Sequence, residues 1–431
     1  MFVIQTRKYL LSQNQKGVGK VKTVENEAVF IAVDPGFDSI KVAINGFYLK
    51  FPKEVVDITG IDDARFLGKK NKSFLKVNYI EGKQHLVGEY AATYLSEQGG
   101  KVPNGIEESE KLHDTFETFK TVDKQILIMS AIGKGLINYA QHSNDHNVII
   151  VDKEDGTHDV KLVGMSKIYV GVALPHDAVD DSWKYIETWL KDQHKFSLET
   201  ADGLYNFDLD TKRSMVGSQV ISALYGVLTD DYGALKEDEE SEMLSENRLP
   251  AIVIDGGYLT LGCAHFTSVK LVDDSDSNLT FAMKNIYENV AANIREKSGR
   301  DDVTSIVIKQ TMRKNDKTLN YVDKDGNGYT IDVAEIVKEE TRAVCEKMVA
   351  ELKKKYNNLV NIKSVIITGG TGIAYYEHIK ALLAPCKWIN VILTDYEFYG
   401  EKITPDYAIV IGMYKVLRET VNELNRQKGK K

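Results

Sequence analysis

Asp34 and Asp255 stand at the ends of two apolar runs, VFIAVDPG and PAIVIDGG, where each run meets a glycine turn. A carboxylate in that place can hold a divalent cation directly or through its waters. A glycine two residues further on lets a ligand come close to backbone N–H groups. Asp-Pro-Gly is also ordinary turn chemistry, so one such site alone would read as a hairpin turn. Here the site occurs twice. VDPGFDSI and IDGGYLTL align as Asp34 with Asp255, Gly36 with Gly257, Phe37 with Tyr258, Ser39 with Thr260 and Ile40 with Leu261. Two copies of strand, Asp, x, Gly, aromatic, x, hydroxyl, aliphatic predict two related halves, each with a hairpin able to grip a polyphosphate through N–H groups.

A third turn, ITGGTGI, places Gly369, Gly370 and Gly372 between an apolar strand and a helix. Such a turn exposes N–H groups beside a helix N-terminus, where an anion or a nucleotide can lie. Neither Gly-x4-Gly-Lys-Ser/Thr nor a strand followed by GxGxxG is present, so a nucleotide site would be of neither common type. Two other runs invite chemistry and are read as structure. DKDGNGYTIDVAE resembles a calcium loop, but its twelfth residue from Asp323 is Ala334, and the flanks alternate like strands; a β-hairpin is expected. His176, after Pro175, has no nucleophile motif beside it and is expected in a strand-end loop.

The elements that position these residues follow from periodicity. Val29 to Ile44 reads as strand, turn, strand, and SFLKVNYIEGKQHLVGEY as strands around Glu81 and Gly82. Residues 123–142 are expected to be helical, as are DSWKYIETWLKDQH and SQVISALYGVL. VIIVDK, SKIYVGVALP, PAIVIDGG and SVIIT read as strands, with AYYEHIKALL as a helix. Strands alternating with helices imply an α/β fold with largely buried sheets. Residues 1–27 are expected to be an arm or edge element, and LKEDEESEMLSENR a solvated acidic loop.

Bulk properties narrow the function classes. With 55 Lys plus Arg against 63 Asp plus Glu, the net charge of −8 argues against a broadly basic nucleic-acid surface. The 3 cysteines are far apart and form no CxxC pair, which fits a reducing cytosol and neither a disulfide framework nor a cysteine zinc site. No apolar run approaches the roughly 18 residues of a transmembrane helix, and the N-terminus lacks the apolar core of a signal peptide. A cytoplasmic protein is expected.

Taken together, the motifs resemble the actin-like ATPase superfamily, which includes the seventy-kilodalton heat-shock chaperones and the sugar kinases. DPGFDSIK resembles its first phosphate hairpin, with Lys41 seven residues after Asp34, and IDGGYLTLG its second. SQVISALYG is similar to the first connecting helix, with Gln219 placed as in actins. ITGGTGI resembles the adenosine turn. TPDYAIVIGMYKVL resembles the second connecting helix: Thr404 and Pro405 suit a helix start, and the small Ala408 and Gly412 permit a close helix crossing. The DxGxxxxK hairpin resembles filament-forming actins, and the divergent outer regions and Lys/Asn/Ile richness resemble the bacterial plasmid-segregation actins, the ParM-like group. The chain departs from relatives at Gly262, where many have Asp, and at Gln219, where some have Glu.

The resemblance implies an actin-like fold: two related ribonuclease-H-like halves around a nucleotide cleft, each with a smaller insertion subdomain. The first half would span 29–230 plus 405–431, with an insertion at about 51–119. The second would span 246–404, with an insertion at about 281–344, and 1–28 would be an N-terminal extension. It implies ATP, with GTP as the alternative, and Mg²⁺ as cofactors. Asp255 and Gln219 would orient the attacking water, and Asp34 and Asp255 would hold the metal. Nucleotide contacts would come from Asp34, Gly36, Phe37, Asp38, Ser39 and Lys41, from Gly256, Gly257, Tyr258 and Thr260, and from Gly369, Gly370, Thr371 and Gly372. The implied activity is ATP hydrolysis coupled to dynamic filaments of this chain, driving plasmid segregation through a DNA-binding adaptor, with no direct nucleic-acid or membrane contact. A small-molecule kinase of the same fold, or a cytoskeletal or cell-division actin homologue, is the alternative.

Overall fold

The computed structural model describes residues 28–62, 70–97, 119–144, 146–164, 166–234, 236, 249–267, 276–278, 281–299, 302–322 and 326–428. The expected N-terminal arm and the acidic run 237–248 lie outside them. The chain divides into two compact units. One holds the described residues up to Lys236, Tyr396–Ile403, and the chain from Tyr407 onward. The other holds those of Glu237–Asp395 together with Thr404–Asp406. The segment Tyr396–Ile403 therefore lies with the first half, not with the second, where it was expected.

The first unit is built on β1 (Ala28–Pro35), whose eight residues are all buried, as a continuous apolar run requires of a central strand. It pairs antiparallel with β2 (Ser39–Ile44), which pairs antiparallel with β3 (Phe47–Pro52). Three short strands, β4 (Val55–Asp57), β5 (Leu75–Asn78) and β6 (His85–Val87), and helix α1 (Glu89–Glu97) form a satellite around Val56, Ile58, Phe74 and Leu86. The long helix α2 (Val122–His142) is capped by Thr121 and buries most of its first sixteen residues. The hairpin β7 (Val148–Asp152) and β8 (His158–Leu162) precedes β9 (Lys167–Leu174), which lies parallel to β1.

Helix α3 (His176–Leu190) follows, then β10 (Gln193–Thr200) and β11 (Leu204–Ser218). DSWKYIETWLKDQH thus stops being helical at Leu190. His194, Phe196 and Leu198 are buried in alternation, a period-two pattern that wins over the helical one. The fifteen residues of β11 serve two neighbours: its first part pairs with β10 and β8, and its second runs parallel to β9. Helix α4 (Gln219–Leu228) leaves directly from that strand.

The second unit repeats this plan. β12 (Ala251–Gly256) is wholly buried and pairs antiparallel with β13 (Leu261–Phe266), and β13 with β14 (Asp276–Asn278). Helices α5 (Met283–Ser298) and α6 (Ser305–Met312) lead to the hairpin β15 (Thr318–Val322) and β16 (Gly328–Asp332). The run resembling a calcium loop is therefore a hairpin. Its last aspartate, Asp332, accepts N–H groups from Ala334 and Glu335 as the N-cap of α7 (Val333–Lys355). β17 (Ser364–Thr368) is parallel to β12, α8 (Gly372–Leu383) follows, and β18 (Asn390–Leu393) is parallel to β17.

The core strand orders are β3-β2-β1-β9-β11 and β14-β13-β12-β17-β18. Each is three antiparallel strands continued by two parallel ones, the ribonuclease-H-like plan expected for both halves. Thr404 and Pro405 do not open the last helix directly. A 3-10 turn, Pro405–Tyr407, comes first, and the C-terminal helix runs from Ala408 to Lys428. That helix packs on α4 so closely that a Cβ on Gly412 would overlap the Ser222 carbonyl oxygen. Among the described residues no helix is long and apolar enough to cross a membrane.

Candidate functional site

In the first unit, β1 and β2 place Asp34 opposite Lys41. Asp34 is 1% exposed, and its carboxylate is held at both oxygens: Lys41 Nζ lies 2.9 Å from Oδ2, and Gln219 Nε2 donates to Oδ1 at 2.7 Å. Gln219 reaches it because β11, two strands away, ends at Ser218 and hands over to α4 at that edge. Three predicted site residues thus meet at the carboxyl ends of parallel strands, where open α/β sheets place ligands. A Cβ on Gly36 would lie 2.8 Å from the Ser39 carbonyl oxygen, so the turn closes only around glycine. Phe37 is packed edge-on to Phe119 at 5.7 Å, and Asp38 accepts the Lys53 N–H through its carbonyl. His176 opens α3 rather than lying in a loop. Its Nδ1 is 3.3 Å from Ser218 Oγ, beside Gln219.

In the second unit, β12 and β13 place Asp255 opposite Gly262, the same register as Asp34 and Lys41. A Cβ on Gly257 would lie 2.6 Å from the Thr260 carbonyl oxygen, repeating the closure at Gly36, and the Gly257 N–H donates to that oxygen at 3.0 Å. The glycine turn after β17 is built onto this hairpin. Thr371 N–H donates to Gly256 O at 3.0 Å, and Thr371 Oγ1 donates to Gly257 O at 3.1 Å. Gly369 has φ +82°, and a Cβ there would meet Asp255 Oδ1 and Gly256 O, each at 2.5 Å. Gly370 and Gly372 complete the turn and start α8. Asp255 is 8% exposed, and Tyr258 stacks under the Lys309 ammonium at 4.2 Å.

Two lysines escaped the sequence reading. Lys309, from α6, had no local signal. Lys124 had one: it precedes Leu127, Ile128 and Ala131, which marks it as lying on the buried stripe of α2. Its Nζ donates to the carbonyls of Pro35 at 2.9 Å and Gly36 at 3.3 Å. Burial, followed by the charge of Lys53, lowers its pKa to about 7.

Among the described residues no three His, Cys, Asp or Glu side chains converge on one metal position. Mg²⁺ rarely needs such a cage; it keeps waters and rests on one or two carboxylates plus substrate phosphates. Asp255 fits that role. Asp34, already engaged at both oxygens, fits it only through metal-bound water.

No protein-family model matches the chain, and no curated protein matches it in sequence. Its fold is similar to that of the actin-like protein Alp7A, with a TM-score of 0.62 and 14% identity over 94% of this chain and 100% of that one. A 15-stranded ParM filament from Clostridium botulinum gives a TM-score of 0.60 at 15% identity over 91% and 99%. Bacillus thuringiensis ParM with ATP gives 0.53 at 14% identity over 92% and 99%. The likeness is one of fold, and the chain has the actin-like fold.

Proposed function

We propose that this chain binds and hydrolyses ATP through its two aspartate–glycine hairpins and polymerises into filaments that move plasmid DNA. The observation that carries the reading is the shared register of the hairpins on two sheets of one strand order. A ParM with ATP and a ParM filament, both of similar fold, support it.

Phosphoryl transfer mostly needs positioning and charge neutralisation. The N–H groups of Gly36, Phe37 and Tyr258 and the hydroxyls of Ser39 and Thr260 supply donors to phosphate oxygens, while the Gly257 N–H closes its own turn onto Thr260 O. Lys41 adds positive charge, at 2.9 Å from Asp34. Mg²⁺, held by Asp255 and through water by Asp34, would neutralise further phosphate charge. Gly369 to Gly372 form the wall against which the nucleoside lies. Asp34 as a carboxylate can only accept, so Gln219 turns its NH₂ toward it at 2.7 Å and its carbonyl away. That carbonyl is then free in orientation to hold an attacking water, whose proton Asp255 receives.

The filament would be a homopolymer in the cytoplasm, joined to a plasmid centromere by a DNA-binding adaptor. Sedimentation of purified protein with ATP, GTP, ADP or no nucleotide, with phosphate release measured in parallel, tests the reading. Polymer is expected with triphosphate and loss of polymer as phosphate is released. Phosphate release without assembly in any nucleotide would leave an ATPase and overturn the filament.

A further inference from the structure

Lys124 sits where a cation is hardest to keep. It is 3% exposed, in the first turn of α2, three residues after the Thr121 cap, where the helix dipole is itself positive. Its two hydrogen bonds go to carbonyls, not to a carboxylate. The rings of Phe37 and Phe119 flank it, with centroids at 5.3 and 5.2 Å. Lys53, Asp34, Lys41 and Asp123 are, in that order, the charges that bear on it, the two lysines acting against the two aspartates. A buried ammonium without a paired anion is costly, and an apolar side chain of similar shape would be easier to bury.

What the ammonium does follows from the planarity of the peptide unit. In a trans peptide the C=O of one residue and the N–H of the next point in opposite directions. Lys124 takes the Pro35 and Gly36 carbonyls. The N–H groups of Gly36 and Phe37 therefore point away from α2, side by side. A donor bound to a carbonyl also polarises its peptide, which strengthens the N–H as a donor.

We propose that Lys124 is a positioning residue of the first phosphate hairpin: it turns the Gly36 and Phe37 N–H groups outward as a pair and sets a positive charge behind them to receive an anionic phosphate. This rests on the reading of that hairpin as a phosphate clamp. The anion adds counter-charge to that of Asp34 and Asp123, the aspartates that bear on Lys124 among the described residues. The ammonium does not touch the ligand; it acts through the two peptides.

The test pairs Lys124→Met with Lys124→Gln and compares each with the wild type for fluorescent ATP-analogue affinity and for thermal unfolding without nucleotide. Met keeps the length and packs well between two rings, so the unfolding midpoint is expected unchanged or raised. Affinity is expected to fall about tenfold or more, the loss of charge-assisted orientation. Affinity within twofold of wild type overturns the proposal. So does a loss of affinity accompanied by a matching drop in unfolding midpoint, which would mark a purely structural brace. If Lys124→Met does not fold, Lys124→Gln decides: it can still donate to a carbonyl but carries no charge. A tenfold loss there supports the proposal, and wild-type affinity overturns it. A wild-type chain that binds no nucleotide would instead overturn the reading of the hairpin itself.

Discussion

The two hairpins share a register and a turn but not a charge. Asp34 faces Lys41 across the ladder, whereas Asp255 faces Gly262. The first aspartate is tied down by a lysine and a glutamine, with a second lysine behind its turn. The second is backed by a glycine turn whose φ +82° residue leaves no room for a side chain next to the carboxylate. The same geometric device thus carries two tasks. The first hairpin sets a lysine across from its carboxylate, and the second sets a glycine there. A duplicated element can keep its turn, which is fixed by sterics, while the residue across the ladder changes freely.

That division of labour can be broken in order of expected effect. In the proposed mechanism Asp255→Asn would remove the proton acceptor, and it is expected to lower phosphate release by about 100-fold or more while leaving nucleotide affinity within a few-fold. Equal losses of rate and affinity would place Asp255 in binding instead. Lys41→Ala leaves a buried carboxylate without its cation, so a loss of about 3 kcal/mol in unfolding free energy is expected, together with weaker nucleotide binding. Denaturant titration reads it, and an unchanged midpoint would mean that the Lys41–Asp34 pair adds nothing to the fold's stability. Gly262→Lys copies the first hairpin into the second. A slowing of phosphate release by about tenfold is expected, since one ion pair would compete for Asp255; a wild-type rate would show that the difference in charge is incidental.

The smallest effect is in pH dependence. Lys124 and Lys415 are buried, with pKa values lowered to about 7 and about 8. Between those values and the ordinary lysine range the unfolded chain binds more protons, so stability is expected to rise with pH from about 7 toward 10. Burial raises the pKa of Tyr225, Tyr375, Tyr396 and Tyr414, which reverses the trend above the ordinary tyrosine range. Unfolding midpoints from pH 6 to 11 check the sign, and Lys415→Met should flatten the rising limb.

The repeat was legible in the sequence because a hairpin is local: Asp, Gly, aromatic and hydroxyl within seven residues define turn and register together. The α/β class followed from buried runs alternating with helices, whereas the ribonuclease-H-like plan of each half came from the resemblance to actin-like proteins. Gln219 was placed by spacing alone, and its contact with Asp34 depends on β11 ending two strands away. The burial of Lys124 was legible from the apolar stripe of α2, but its two carbonyl partners depend on how that helix docks on a turn far from it in sequence. The helix expected to continue through DQH failed because burial in the next strand overrode its periodicity. The calcium-like loop was correctly read as a hairpin because its spacing missed the required glutamate.

The overlap that a single Cβ on Gly412 would create at Ser222 has a consequence for the ribosome. Helix α4 is made before the second unit, and its packing partner is made after that unit. The first unit therefore cannot seal its core in the order it is translated. It must wait, with α4 uncovered, while an independent sheet forms between its two segments. Shortening the C-terminal helix would then harm the half of the protein that was synthesised first.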